Sequence, residues 1–154
     1  MDLSSKELAQ SYLGGKVVPL VPRFLSLRLL CNPGATLGVL SEHTWVVGII
    51  EIIGCAGFAL GIFLADSPWL LTAFSLGLAG GAGNFADRII HAHGFLNGCV
   101  VDFIDYGWSV GNVADIYLFL SAVCIFIFLF CLDKKRGKDE KDSASSRKSG
   151  RRTI

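Results

Sequence analysis

Between Ile116 and Leu132 the chain reads I-Y-L-F-L-S-A-V-C-I-F-I-F-L-F-C-L, 17 residues without a charge, and Lys134-Lys135-Arg136 follow after Asp133. A helix that is apolar on every side has no face to turn to water, and a bilayer takes about 20 such residues. Two other stretches meet the same requirement. Trp45 to Leu64 carries Glu51 as its one charge. The next opens with Pro68 and Trp69, suited to a first helical turn and to a membrane interface, and becomes polar in its second half, G-G-A-G-N-F-A-D-R. The expectation is an all-α polytopic membrane protein. Its three transmembrane helices are expected at about 45–64, 69–90 and 111–132, with A-D-S-P at 65–68 forming a tight hairpin between the first two. A content of 52% hydrophobic residues agrees, being too apolar for an ordinary soluble domain.

Charge sets the orientation. Nine of the 14 Lys and Arg residues fall from Lys134 onward, so the net charge of +1 conceals a strongly basic end. Such a flank stays in the cytoplasm. Counting back, the loop 91–110 lies outside, the 65–68 turn inside and residues 1–43 outside. Residues 1–132 then form the membrane-embedded domain. The tail 133–154 has no apolar periodicity and is expected to be disordered. Residues 16–31, K-V-V-P-L-V-P-R-F-L-S-L-R-L-L-C, partly alternate from Arg23 to Leu29. They predict a small amphipathic β-element on the outer membrane surface, followed by an Asn32-Pro33-Gly34 turn. The expectation is that this outer segment is reached without a secretory leader before it. Nothing suggests a nucleic-acid or acidic-substrate surface.

Of the five cysteines, Cys55, Cys124 and Cys131 sit in apolar runs and read as small buried hydrophobes. The odd count argues against a full disulfide framework. A Cys31–Cys99 bridge outside the membrane is the less favoured alternative to free thiols. His43, His91 and His93 lie at loop or helix-end positions. His91-x-His93 lacks an evident third metal ligand.

The chemistry lies in polar residues that interrupt apolar runs. G-N-F-A-D (83–87) nearly recurs as G-N-V-A-D (111–115). Asn84, Asp87 and Arg88 share one helix face, as do Asn112 and Asp115. A packing face with a structural polar network would explain the first set. An N-cap at Asn112, with Asp115 facing the helix N-terminus, would explain the second. Asp102 sits in V-V-D-F-I-D at an apolar edge, whereas Asp105 precedes Tyr106-Gly107-Trp108 and reads as a turn residue. Two carboxylates brought together titrate as a pair and share a proton near neutral pH, the state needed to activate water and polarise a carbonyl. Glu51 is a functional candidate by position, or a partner for Arg88.

G-G-A-G-N-F-A-D-R (80–88), V-V-D-F-I-D (100–105) and N-V-A-D (112–115) occur in the order found in the lipoprotein signal peptidases, also called signal peptidase II. N-P-G-A-T-L-G (32–38) resembles that family's N-x-G-A-A-F-G, and D-L-S-S-K (2–6) resembles its D-Q-x-x-K with Leu for Gln. The resemblance covers residues 2 to about 132. It implies a bacterial inner-membrane aspartic endopeptidase, its active site toward the extracytoplasmic side. Such an enzyme removes the signal peptide from diacylglyceryl-modified prolipoproteins, just before the lipid-bearing cysteine. Asp102 and Asp115 would be the catalytic pair, with Asp87 as second choice to Asp102. Asn32, Asn84, Asp87, Arg88, Asn112, Ala114, Asp2 and Lys6 would shape the site or bind substrate. No metal and no cofactor are implied. The partners are the prolipoprotein and membrane lipids, with no nucleic acid, and the chain is expected to be a monomer.

Two departures from the family pattern stand out. The family has four spans, and this chain begins where the first would end. The expectation is therefore that Met1 is not the natural start or that the chain is a truncated form. Gly111 also replaces a common aromatic, within a gap of 13 residues from Asp102 to Asp115. Two rival readings remain at this stage. One is a proton-relay or transporter subunit using Glu51, Asp87 and Asp115, and the other is an inactive homologue.

Overall fold

The computed structural model describes the backbone of residues 2–35 and 39–150, and side chains as far as residue 135. The chain begins with helix α1 (Asp2–Leu13), in a stretch for which only an outer segment was expected. Asp2, Lys6, Ala9 and Leu13 are its buried residues. They fall at helical spacing and make one inward stripe, polar at one end and apolar at the other. Gly14 and Gly15, both at positive φ, end the helix.

Strands β1 (Val18–Val21), β2 (Leu25–Asn32), β3 (Val100–Asp105) and β4 (Val110–Gly111) form one antiparallel sheet in the order β1-β2-β3-β4. The β-element is thus larger than expected, and the fold is not all-α. The stretch assigned to an outer loop supplies two of its strands. The reason lies in burial. Val100, Val101, Asp102 and Phe103 are all buried, so β3 shows no alternation between an inner and an outer face. Registry pairs Asn32 with Val100 and Leu30 with Asp102. Ala9, Leu13 and Phe103 make a small core between α1 and the sheet, flanked by Leu27, Ile104 and Val113.

Helices α2 (Thr44–Leu64), α3 (Pro68–Ile90) and α4 (Val113–Gly150) follow the expected positions. Ser67 caps α3, its hydroxyl accepting from the Leu70 N–H at 3.2 Å, and Pro68 occupies the first turn. Among the described residues, the stretches Ser41–Leu64 and Val113–Lys135 are long and apolar enough to cross a membrane. Only 11% and 6% of their apolar windows are buried within the protein, which separates them from the core helices of a soluble domain. α3 does not meet the same composition, because its second half carries the polar motif. It is nonetheless 23 residues long, about 35 Å at 1.5 Å per residue, and packs against both apolar helices. α4 continues past the basic exit to Gly150, where a tail without regular structure was expected. Lys, Arg and Glu are good helix formers and can extend a helix already nucleated in the span.

Small residues on α3 set its distances to its neighbours. A Cβ at Gly80 would lie 2.6 Å from the Ala114 carbonyl oxygen on α4, and one at Gly83 would lie 2.5 Å from an Asp2 carboxylate oxygen on α1. Gly77 and Gly81 meet Phe58 and Cys55 of α2 in the same way. The face that carries Asn84, Asp87 and Arg88 is thereby brought against three other elements.

Cys31 and Cys99 form a disulfide, correcting the preference for free thiols. Antiparallel registry places Asn32 opposite Val100, which carries the neighbouring cysteines to a Cα–Cα distance of 5.4 Å. Cys55, Cys124 and Cys131 are free, but none is fully buried. Cys131 is exposed on the outer surface of α4, so the expectation of buried hydrophobes does not hold for it.

Candidate active site

Asn112 is the residue before α4, and its side-chain oxygen accepts the Asp115 N–H at 3.1 Å. Asp115 returns the bond, its Oδ2 accepting the Asn112 N–H at 3.1 Å. This reciprocal cap fixes the Asp115 carboxylate at the mouth of the helix. The cap read from the sequence is formed, and it leaves Asp115 within the candidate site. Gly111 leaves room for it, since a Cβ there would stand 2.7 Å from Asp115 Oδ2.

Asp102 projects from β3 and is only 2% exposed. Asn112 donates through Nδ2 to its Oδ1 at 2.6 Å, and Asn32 donates to its Oδ2 at 3.0 Å. Asn32 is itself oriented by the turn after β2, where its Oδ1 accepts the Gly34 N–H at 3.0 Å. Asn84 connects the two carboxylates. Its Nδ2 donates to Asp115 Oδ1 at 3.2 Å, and its Oδ1 accepts Asn112 Nδ2 at 3.1 Å. A continuous path Asp102–Asn112–Asn84–Asp115 results. Burial pushes the Asp102 carboxyl up to about 6, with the Asp115 charge adding to the shift. Hydrogen bonds from Asn32 and Asn112, and the more distant Lys6, oppose it. Burial and these two carboxylates also push the Tyr106 hydroxyl up.

Asp87 is built differently. It pairs with Lys6 Nζ at 2.9 Å and accepts the Val101 N–H at 2.9 Å, both contacts being buried. Lys6 is 2% exposed and also binds Asp2 at 2.8 Å and Asn84 Oδ1 at 3.0 Å, which occupies all three of its donors. Asp2 Oδ1 accepts the Ala114 N–H at 2.9 Å, satisfying another open donor of the α4 first turn. Asp2, Lys6 and Asp87 thus form a bracket behind the carboxylate pair. Arg88 does not pair with its neighbour Asp87. Its Nε donates to Glu51 at 3.0 Å, while Nη1 and Nη2 donate to the carbonyls of Pro33, Gly98 and Gly34 at 3.0, 3.2 and 2.6 Å. Glu51, left open between two roles by the sequence, is the ion-pair partner of Arg88. Of the three carboxylates that a proton relay would use, Asp87 and Glu51 are therefore held by cations.

Asp102 and Asp115 line a cavity of about 700 Å³, with Asn32, Asn84, Glu51 and Arg88 at its polar end. Val47, Ile50, Ile116 and Phe119 make an apolar wall from α2 and α4. Tyr106 and Trp108, in the turn between β3 and β4, close another side, their rings stacked at 6.2 Å. Asp87, Asp2 and Lys6 do not reach this cavity. All ten candidate residues lie in or directly behind one polar cluster. Sequence reasoning missed Tyr106 as a wall of the cavity and α1 as the carrier of the bracket. The Asp2 and Lys6 spacing of four, ahead of a Gly-Gly stop, was the available signal for that helix.

A signal peptidase II family model matches residues 1–131. The chain is 39% identical to the lipoprotein signal peptidase of Bifidobacterium adolescentis, over 97% of this chain and 85% of that protein. It is 34% identical to the lipoprotein signal peptidase of Mycobacterium leprae, over 99% and 79%. Its structure resembles that of a solved bacterial membrane enzyme with a TM-score of 0.72 and 32% identity, covering 84% of this chain and 80% of that one.

Proposed function

This chain belongs to the signal peptidase II family and removes signal peptides from prolipoproteins, and we propose that it does so as an aspartic endopeptidase with Asp102 and Asp115 as its catalytic pair. The observation that carries the catalytic assignment is the Asp102–Asn112–Asn84–Asp115 path at the polar end of one cavity. Asp102, almost sealed from solvent, holds the shared proton and donates it toward the carbonyl oxygen under attack. Asp115, more open to the cavity, takes a proton from water, which then attacks the peptide carbonyl. Asn84 and Asn112 keep the two carboxyl groups aligned throughout. Asp115 then passes its proton to the amine nitrogen, the C–N bond breaks as Asp102 regains a proton from the tetrahedral diol, and the pair is restored.

The cavity has the two characters that a lipid-modified prolipoprotein requires. Its polar end takes the scissile peptide. Its apolar wall on α2 and α4 faces the acyl chains and the signal helix. α3 is the third crossing, its polar half covered by α1, the sheet and the two flanking helices. Two independent signs support one orientation of the molecule. Lys134 and Lys135 mark a cytoplasmic exit from α4, and the Cys31–Cys99 disulfide belongs on an oxidising side. The sheet and the carboxylate pair therefore face outward from the bacterial inner membrane, and the enzyme acts as a monomer.

The test is a mobility-shift cleavage assay on a diacylglyceryl-modified prolipoprotein in detergent. Asp102→Asn and Asp115→Asn should each lower the rate by roughly a hundredfold or more, the scale of a lost general acid or base. Asp87→Asn should weaken cleavage together with thermal stability, since it loosens the bracket. Wild-type rates in either of the first two variants would remove the dyad assignment.

A further inference from the structure

We propose that Glu51 is a positioning residue for the catalytic pair, holding the Arg88 guanidinium on the backbone of the 33–34 turn and away from Asp102 and Asp115. The inference rests on the aspartic reading above. Glu51 is the one charge between Trp45 and Leu64, a costly place for a carboxylate unless it is paired. Both of its oxygens lie 3.0 Å from Arg88 Nε. The other guanidinium nitrogens donate to the carbonyls of Pro33, Gly34 and Gly98. Those carbonyls orient Arg88, but none carries a full charge. Arg88 is 1% exposed, so water cannot compensate it either.

Glu51, Arg88, Asp102 and Asp115 line the same cavity. The charged and titratable groups around Glu51 can be taken element by element. Lys6 of α1 is committed to Asp2 and Asp87. α3 contributes Arg88, the sheet contributes Asp102 and Tyr106, α4 contributes Asp115, and α2 itself contributes Cys55. Once Glu51 loses its charge, Asp102 and Asp115 are the carboxyl groups left facing Arg88 across the cavity. Two effects follow. The 33–34 turn loses its clamp, and with it Asn32 loses its fixed approach to Asp102. A cation closer to the pair also drives off the shared proton, because a neighbouring guanidinium favours the ionised carboxylate.

The experiment is the pH dependence of kcat and KM for wild type, Glu51→Gln and Glu51→Asp, on a diacylglyceryl-modified prolipoprotein in detergent. Asp102→Asn and Asp115→Asn serve as controls. Glu51→Gln should lower kcat by about tenfold or more, with KM changed by less than about threefold. Its basic limb should move to lower pH by about 1 unit or more. Glu51→Asp should recover part of kcat and keep the limb near its wild-type position. A limb that stays in place in Glu51→Gln overturns the proposal, whether kcat falls or not, because a purely structural loss scales the profile without moving it. Should Glu51→Gln fail to fold, Glu51→Asp decides: a carboxylate one methylene short keeps the ion pair only by drawing the guanidinium off the turn carbonyls, so a wild-type kcat there overturns the proposal. Active Asp→Asn controls would instead sink the aspartic reading itself.

Discussion

Asn112 makes four of the bonds on which the site depends, and a residue of any other type would lose some of them. Its oxygen caps α4 by accepting the Asp115 N–H, and its amide donates to both Asp102 and Asn84. Aspartate would keep the cap but place a third carboxylate against Asp102. Asn112→Ala should cost about 1 kcal/mol of stability for the cap alone, measurable as a lower midpoint in detergent melts. Its cleavage rate should fall far more than that loss explains. The Asp102 value sets a pH expectation with a definite sign. Its folded-state carboxyl is raised, so in the proposed mechanism the proton that Asp102 would supply is present below about 6 and is lost above it. The basic limb of kcat/KM, which reports the free enzyme, should therefore lie near pH 6. The limb of kcat should lie higher, because bound substrate expels water from the pair. Linkage runs the same way. Between the ordinary carboxyl range and about 6 the folded state binds the extra proton, so this group's contribution to stability declines as pH rises through that window. Melts of wild type and Asp102→Asn across pH 4–7 should converge on the acid side and separate on the alkaline side, with the variant the more stable.

At the scale of elements, three short contacts decide whether the carboxylates meet. The Gly80–Ala114 approach brings α3 against α4 and so brings Asn84 within reach of Asp115. Gly80→Ala places a methyl against a backbone carbonyl, which has no flexible end to move aside. The helices must separate, and cleavage should drop at least about tenfold with a lower melting midpoint. Unchanged activity in this variant would show that the Asn84 link tolerates a looser helix pair. Asp2 ties α1 to the first turn of α4, and the β2–β3 registry ties Asn32 to Asp102. Much of this was legible in the chain. The Pro68 start, the Asn112 cap and the shared helix face of Asn84, Asp87 and Arg88 all follow from spacings of four residues or fewer. The β3 strand was not legible, because a strand buried on both faces shows no period of two. α1 escaped for another reason: its inward stripe mixes Asp and Lys with Ala and Leu, so no apolar face announces it.

For the molecule as a whole, the arrangement is a membrane bundle with a sheet set across one end and the carboxylates at the junction. The apolar surface of α2 and α4 points away from the protein, including Ile53, Phe63 and Phe126. The sheet end carries exposed Phe24 and Trp108 on its two hairpin turns, where an interface would receive them. Orientation is testable directly. Ser109→Cys, placed in the β3–β4 turn of a variant lacking its other free thiols, should react with a membrane-impermeant maleimide added outside intact spheroplasts. Labelling only after lysis would reverse the topology. The sequence by itself determined the properties that are local to the chain. These are which segments are apolar enough for lipid, where the three long helices begin, which end is basic, and that a small set of Asn, Asp and Arg residues interrupts the greasy runs. Helix length, capping and hydropathy are settled within about 20 neighbouring residues. Only the tertiary structure decided which of those residues meet. Asp102 with Asp115, Arg88 with Glu51 rather than Asp87, Lys6 with Asp87, and Cys31 with Cys99 are choices among distant partners. Such choices depend on loop closure, strand registry and the distances that small residues allow between helices, none of which is written in any one stretch of sequence.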